Sequence, residues 1–378
     1  MQRVYLDNNA TTGLDPRVLQ AMLPELSSIP SNPSSVHFFG QEAKNRLQKA
    51  RETIASFFKV RPQEILFTSG GTEALNMLIT GAFFDGKKGH LITSTIEHAC
   101  IYHVAQALEK RGCEVTYLKA DLSGHVDPYD VQQAIRPETK LIVLSAANSE
   151  TGVKNDYVQI ATIAEQARIP FVVDGVALVG KELFEIPPGV SAFACSAHKF
   201  HGPKGIGCAF IRNTFKCSPL LFGGGQEFSK RAGTENLAGI IGLSKAIELL
   251  YTELPSAGLQ MGHLRDYFES ELQKRIPFII VNGKGPRVPN VSNLAFPGVD
   301  GETLLLNLDL NGIAASHGSA CSSGALEPSR VLTNMGIPFA QAKSSLRFSL
   351  SRFTTKEEIK QAIAIIERLM QQLNHISL

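Results

Sequence analysis

Short, continuous apolar runs separated by helical patterns constrain this chain more than any other feature in it. Glu64-Ile65-Leu66-Phe67, Leu91-Ile92-Thr93, Val115-Thr116-Tyr117-Leu118, Leu141-Ile142-Val143-Leu144 and Phe171-Val172-Val173 are runs of this kind. Strands that are apolar on both faces belong to parallel sheets covered by helices. Between these runs the spacing turns helical. Ala43, Leu47, Ala50, Ile54 and Phe57 share one face, and a second pattern runs through Leu75, Leu78 and Ile79. A third covers Val158 to Ala167. The alternation predicts an α/β domain with a mainly parallel sheet.

Past residue 250 the texture changes. Pro255-Ser256-Ala257-Gly258 punctuates the chain between a helix near Asn236–Tyr251 and another from Gln260 to Arg275. Strand signals follow at Phe278-Ile279-Ile280-Val281 and Val291-Ser292-Asn293-Leu294-Ala295, and an amphipathic helix runs from Lys356 to Leu373. This reads as a smaller α+β C-terminal domain, with the boundary near 250–258. A chain of 378 residues has room for both cores.

A net charge of +2 is too small to point to nucleic acid or a membrane surface. No apolar run is long enough to cross a bilayer, and Met1–Asp7 lacks the apolar core of a signal peptide. A cytoplasmic location is expected. The six cysteines show no metal-ligand spacing, so no metal is expected. Cys195 and Cys208 lie in apolar runs and read as buried hydrophobes. Cys321 differs: it sits in Ser316-His317-Gly318-Ser319-Ala320-Cys321-Ser322-Ser323-Gly324, a stretch of small residues without periodicity. A thiol there reads as a nucleophile on a loop.

The chemistry begins with two residues. Asp174 closes one apolar run, and Lys199 follows the next in Ser196-Ala197-His198-Lys199. A lysine can form a Schiff base with pyridoxal phosphate, and an acid can keep the pyridine nitrogen protonated. Thr68-Ser69-Gly70-Gly71-Thr72 lies where a strand hands over to a helix, a place suited to a phosphate. His98 falls beyond a strand end, where it can stack on a ring. Arg347, in the alternating Ser344-Ser345-Leu346-Arg347-Phe348-Ser349-Leu350, offers a fork for a substrate carboxylate.

Together these segments resemble the pyridoxal-phosphate-dependent cysteine desulfurases of the NifS/IscS group, within the class V aminotransferase-like family. Tyr5-Leu6-Asp7-Asn8-Asn9-Ala10-Thr11-Thr12, Asn32-Pro33-Ser34-Ser35-Val36-His37, Thr68–Glu73 and Glu97-His98 come first. Asp174, Ser196–Lys199, Arg231-Ala232-Gly233-Thr234 and Gly318–Cys321 follow in the family's order. The resemblance implies a type I pyridoxal-phosphate-dependent transferase fold, with a large domain at 13–252. Residues 1–12 and 253–378 then form the small domain, with a cysteine loop at about 315–326. It implies that Lys199 carries the pyridoxal 5'-phosphate, Asp174 holds its pyridinium and His98 stacks on it and shuttles a proton. Gly71, Thr72, Ser196 and His198 would contact the phosphate, with Thr234 contributed by the second subunit of a homodimer. Arg347 and Asn148 would bind the substrate, L-cysteine. Cys321 would take its sulfur as a persulfide, leaving L-alanine, and pass it to an iron–sulfur scaffold or another acceptor protein. The alternatives are a degenerate structural or regulatory relative and another pyridoxal phosphate enzyme, such as a selenocysteine lyase.

Two positions depart from the family pattern. Asn148-Ser149-Glu150-Thr151-Gly152 has Ser149 where a second Asn is usual. Asp174-Gly175-Val176-Ala177 has Ala177 where a Gln usually donates to the cofactor's phenolic oxygen. Losing donors to that oxygen destabilises its anion and raises the pKa of the Lys199 Schiff base. The expected outcome is weaker cofactor retention or slower turnover than in members carrying both amides. Spectral titration of the Schiff base checks this, and a pKa as low as theirs contradicts it.

Overall fold

The computed structural model describes residues 3–27, 30, 32–84, 86, 88–318 and 327–376. Cys321, and with it most of the expected cysteine loop, lies outside the described residues. The chain opens with β1 (Val4–Tyr5), α1 (Pro16–Ser27) and α2 (Phe38–Phe58). It continues through β2 (Ile65–Thr68), α3 (Gly71–Ala82), β3 (His90–Ser94), α4 (Ala99–Lys110), β4 (Glu114–Leu118) and α5 (Pro128–Ala134). Next come β5 (Thr139–Ser145), α6 (Tyr157–Ala167), β6 (Phe171–Asp174), β7 (Ala192–Ser196) and β8 (Gly207–Ile211). The last third holds α7 (Leu237–Arg275), β9 (Ile280–Val281), β10 (Val291–Ala295), α8 (Gly301–Leu310) and β11 (Ile313–Ala314). It ends with α9 (Arg330–Asn334), α10 (Phe339–Lys343), β12 (Ser345–Ser349) and α11 (Lys356–Ile376).

Seven strands form the main sheet in the order β2-β8-β7-β6-β5-β3-β4. Neighbours run parallel from β4 to β7, and β8 runs antiparallel to both β7 and β2. The strand order reverses around β3, which lies between β4 and β5. Ligands of open α/β sheets bind at such a switch point, outside the carboxyl ends of the strands. Ser94, Ser145, Asp174 and Ser196 are the last residues of their strands and share that edge. One apolar core packs α2, α6 and the first half of α7 on one sheet face, and another packs α3 and α4 on the other.

A further core lies in the C-terminal third. It draws Val4 and Leu6 from the chain's start together with Phe268, Phe296, Leu346, Phe348 and Ile366. It packs on the antiparallel sheet β12-β10-β9 and on the parallel pair β1-β11. The expected break at Pro255–Gly258 is not there: α7 is one helix of 39 residues with Pro255 inside it. Proline removes one helical hydrogen bond, but burial holds the helix on both sides. Leu250 and Leu254 belong to the large core, and Leu264, Phe268 and Leu272 to the C-terminal one. We therefore propose the division at 252/253 as one that α7 crosses unbroken.

One segment is strained. Glu227, Phe228 and Ser229 have φ of 48°, 57° and 62°, a left-handed turn without glycine. Such residues cost roughly 1–2 kcal/mol each. Buried Glu227 offsets this by accepting from Arg51 Nη2 at 2.6 Å, Arg51 Nη1 at 3.0 Å and the Phe67 amide at 2.8 Å. The turn sets the path of the loop that follows, Arg231 to Thr234. Among the described residues no helix is long and apolar enough to cross a membrane.

Candidate functional site

A cavity of about 880 Å³ opens at the switch point and gathers most of the expected site residues. Gly71, Thr72, His98, Asn148, Asp174, Ser196, His198, Lys199 and Arg347 all line it. Thr234 does not. It lines a separate cleft of about 100 Å³ with Ser69, Glu227 and Arg231.

Lys199 ends the short turn after β7. Its Nζ donates to the Asn9 carbonyl at 2.6 Å and the Ala10 carbonyl at 3.0 Å, so the chain's first dozen residues hold the amine. That segment is fastened to the same turn, because the Thr12 amide and hydroxyl donate to the His198 carbonyl at 2.9 and 3.0 Å. The buried Asp174 carboxylate accepts the Val176 amide at 2.9 Å. Burial raises its pKa, while that amide, His98 and Lys199 pull it down. His198 stands 3.1 Å from the Thr11 hydroxyl through Nδ1. Burial, then Lys199, depresses it to about 4, so the ring is neutral.

The donors suit a phosphorylated ring. Gly71 begins α3, and its amide and that of Thr72 lie in the first helical turn, where amides lack intrahelical partners. A Cβ on Gly71 would lie 2.5 Å from Val176 Cγ2, so only glycine leaves this approach open. The Ser145 hydroxyl, also on the cavity wall, is buried without a partner among the described residues. A carboxylate for a ring nitrogen, an amine for a carbonyl carbon and a helix N-terminus for a phosphate fit pyridoxal phosphate together.

Arg347, in the centre of β12, is 2% exposed. It is a core residue where a strand arginine would ordinarily be exposed. Nη2 donates to Asp7 at 2.8 Å and Nη1 to the Ser149 carbonyl at 3.2 Å, while Nε is buried without a partner among the described residues. Asn148 serves its own turn. Its Oδ1 accepts the Glu150 and Thr151 amides at 2.9 and 3.1 Å, and its Nδ2 donates to the Ile96 carbonyl at 3.0 Å. The Ser149 carbonyl also accepts Asn9 Nδ2 at 2.9 Å.

Sequence reasoning missed four members. Lys181, from the β6–β7 connection, is buried beneath Lys199 and donates to its carbonyl at 2.8 Å. Burial, with Lys199 and Arg352 nearby, depresses its ammonium to about 7. Arg330 donates to the Thr95 and Glu97 carbonyls and lies 4.3 Å from the Tyr102 ring centre. Buried Glu150 accepts the Ser329 hydroxyl, which fastens the start of α9 to the large sheet. Glu97 is fully buried and accepts the Ser94 hydroxyl at 2.7 Å and the Ser145 amide at 2.9 Å. Glu97 and Glu150 stand in motifs the sequence displays, beside His98 and Asn148; Lys181 and Arg330 acquire meaning only from distant contacts.

The aminotransferase class-V family profile matches residues 4–362, the class that this fold and site define. The chain is 45% identical to cysteine desulfurase IscS of Dictyoglomus turgidum, over 100% of this chain and 96% of the relative. It is 43% identical to cysteine desulfurase 2 of Trichormus variabilis, over 100% and 95%. Among solved structures, a NifS-like protein superposes with a TM-score of 0.91 at 33% identity, covering 98% of this chain and 100% of that one. The chain belongs to the class V aminotransferase family and, within it, to the cysteine desulfurases.

Buried Glu97 makes the protein's stability depend on pH. Burial pushes its carboxyl up to about 7; the Ser94 hydroxyl opposes this and Asp174 reinforces it. Unfolded, the group ionises near 4.5. Stability from the protonated form is thus fully present below the unfolded value and lost as pH rises through the folded one. Glu97→Gln keeps an acceptor for the Ser145 amide and removes the charge. It is expected to gain on the parent as pH rises from about 5 to about 8, by at most about 3 kcal/mol. Denaturant midpoints at the two pH values measure this, and an unchanged difference contradicts it.

Proposed function

We propose that the chain is a pyridoxal-phosphate-dependent cysteine desulfurase that converts L-cysteine to L-alanine and delivers the sulfur to Cys321 as a persulfide. The observation that carries this is the meeting, in one cavity, of the Lys199 amine, the Asp174 carboxyl and the buried Arg347 fork. A solved relative, SspA in complex with cysteine, superposes with a TM-score of 0.83 at 32% identity, covering 93% of this chain and 100% of that one.

Pyridoxal phosphate bound at Lys199 supplies an electron sink that labilises the substrate's Cα proton and Cβ–Sγ bond. The rest is the chain's own work. Asp174 would pair with the ring nitrogen, and the first turn of α3 with Ser196 and His198 would hold the phosphate. Arg347 binds the substrate carboxylate through N–H groups left over from Asp7 and Ser149. Lys199 Nζ leaves the Asn9 and Ala10 carbonyls, takes the Cα proton and later returns a proton. The Cys321 thiolate attacks the substrate Sγ. The new S–S bond forms as Cβ–Sγ breaks, and the electron pair left on Cβ takes a proton to give the alanine methyl.

A homodimer accounts for Thr234, which stands outside the Lys199 cavity on the strained Glu227 loop. The exposed Phe84 and Phe222, whose ring centres are 5.7 Å apart, supply apolar surface for a second copy. The persulfide then passes to an acceptor protein, an iron–sulfur scaffold in this reading, in the cytoplasm. A pyridoxal-phosphate-binding regulatory relative is the reading favoured by Ala177 and Ser149, and turnover separates the two.

Purified protein given L-cysteine is expected to release alanine, and Cys321→Ala to lose persulfide transfer while keeping its cofactor colour. Alanine assay and persulfide mass analysis check this. Absence of alanine in the parent protein supports the regulatory reading, and transfer surviving in the variant removes Cys321 from its role.

A further inference from the structure

His98 and Cys100 stand on the cavity wall at the start of α4. His98 is the N-cap of that helix, and its Nδ1 accepts the Cys100 backbone N–H at 3.2 Å. A backbone N–H is always a donor. The neutral ring therefore keeps Nδ1 as acceptor and carries its proton on Nε2. Cys100 Sγ lies 3.0 Å from the same Nδ1. Burial, with Asp174 and Glu97 close by, keeps this thiol protonated, so the S–H is the second donor to that nitrogen.

We propose that Cys100 is a positioning residue for His98: its S–H and its own N–H together lock the imidazole as the Nε2–H tautomer, leaving that N–H as the ring's edge for the cavity. The charged groups that face the ring are Asp174 from the end of β6, Lys199 after β7 and Arg330 on α9. Burial, Lys199 and Arg330 disfavour the imidazolium, and Asp174 favours it. The balance lowers the pKa, and protonating Nδ1 would also break both donations from Cys100. His98 at neutral pH thus donates one hydrogen bond and offers no base on its cavity edge. A proton shuttle through this ring would have to load Nδ1 against two donors. Abstraction at Cα falls to Lys199, and the ring orients what it touches. This role in turnover rests on the desulfurase reading; the tautomer does not.

The test uses full-length, pyridoxal-phosphate-loaded protein labelled with ¹⁵N-histidine, with the His98 signals identified by their loss in His98→Gln. The wild type is expected to show a protonated Nε2 and a bare Nδ1 at neutral pH. In Cys100→Ala the ring's pKa is expected to rise by about half a unit to one unit, roughly the worth of one hydrogen bond. The acid limb of kcat/KM for L-cysteine is expected to move with it. Cys100→Ser, whose hydroxyl restores a donor, is expected to return both toward the wild type. A proton on Nδ1 in the wild type, or a ring pKa unmoved in Cys100→Ala, overturns the proposal. If the tautomer and the pKa response are found without turnover of L-cysteine, the proposal stands and the desulfurase reading fails.

Discussion

A single buried guanidinium joins the parts of this molecule that have to meet. Arg347 comes from the C-terminal antiparallel sheet, Asp7 from the first residues of the chain, and Ser149 from the loop after β5 of the main sheet. A buried guanidinium needs a charged partner, and removing Asp7 would leave its charge uncompensated. The requirement fixes the N-terminal segment against the main sheet, and that segment supplies the Asn9 and Ala10 carbonyls that hold Lys199. The same N-terminal segment thus pins Arg347 and holds the Lys199 amine. Asn290 Nδ2, donating to Asn9 Oδ1 at 2.9 Å, ties the seam to β10 from the other side.

The cavity also concentrates charge where water is scarce. Asp174, Glu97 and Glu150 are buried carboxyls, each shifted upward by burial. Lys181 is a buried ammonium shifted downward for the same reason. Glu97, pushed up to about 7, and Lys181, pushed down to about 7, are thereby placed to exchange protons near neutral pH. Arg330 and Ser329 fix the start of α9 to the large sheet. Glu327, Pro328, Ser329 and Arg330 thereby line the cavity rim.

The strands of the main sheet were legible because burial on both faces leaves continuous apolar runs, as in Leu141–Leu144 and Phe171–Val173. Lys199, Asp174 and His98 stood out from the order of their motifs and Arg347 from the alternation of its strand, and the four share one cavity. The continuity of α7 was not legible, because a proline and a glycine outweigh, in sequence, the burial that two distant cores provide. The partners of Lys199 were hidden as well, since backbone carbonyls carry no side-chain signature. Lys181 looked like any loop lysine until the sheet placed it beneath Lys199. Nothing in the sequence singles out the Cys100 thiol, because its partner atom is one nitrogen of a ring whose orientation only the helix cap defines.

In the proposed reaction the buried Arg347 fork reads the substrate's carboxylate. The direct measurement compares kcat/KM for L-cysteine with that for cysteamine, which keeps the amine and thiol and lacks the carboxylate, in the wild type and in Arg347→Lys. A site built for a charged partner rejects the analogue lacking it, so the wild type is expected to prefer L-cysteine on the order of 10³-fold or more. Arg347→Lys keeps a charge for Asp7 but loses the fork, and is expected to lose most of that preference. The same preference in both proteins would contradict this role for Arg347.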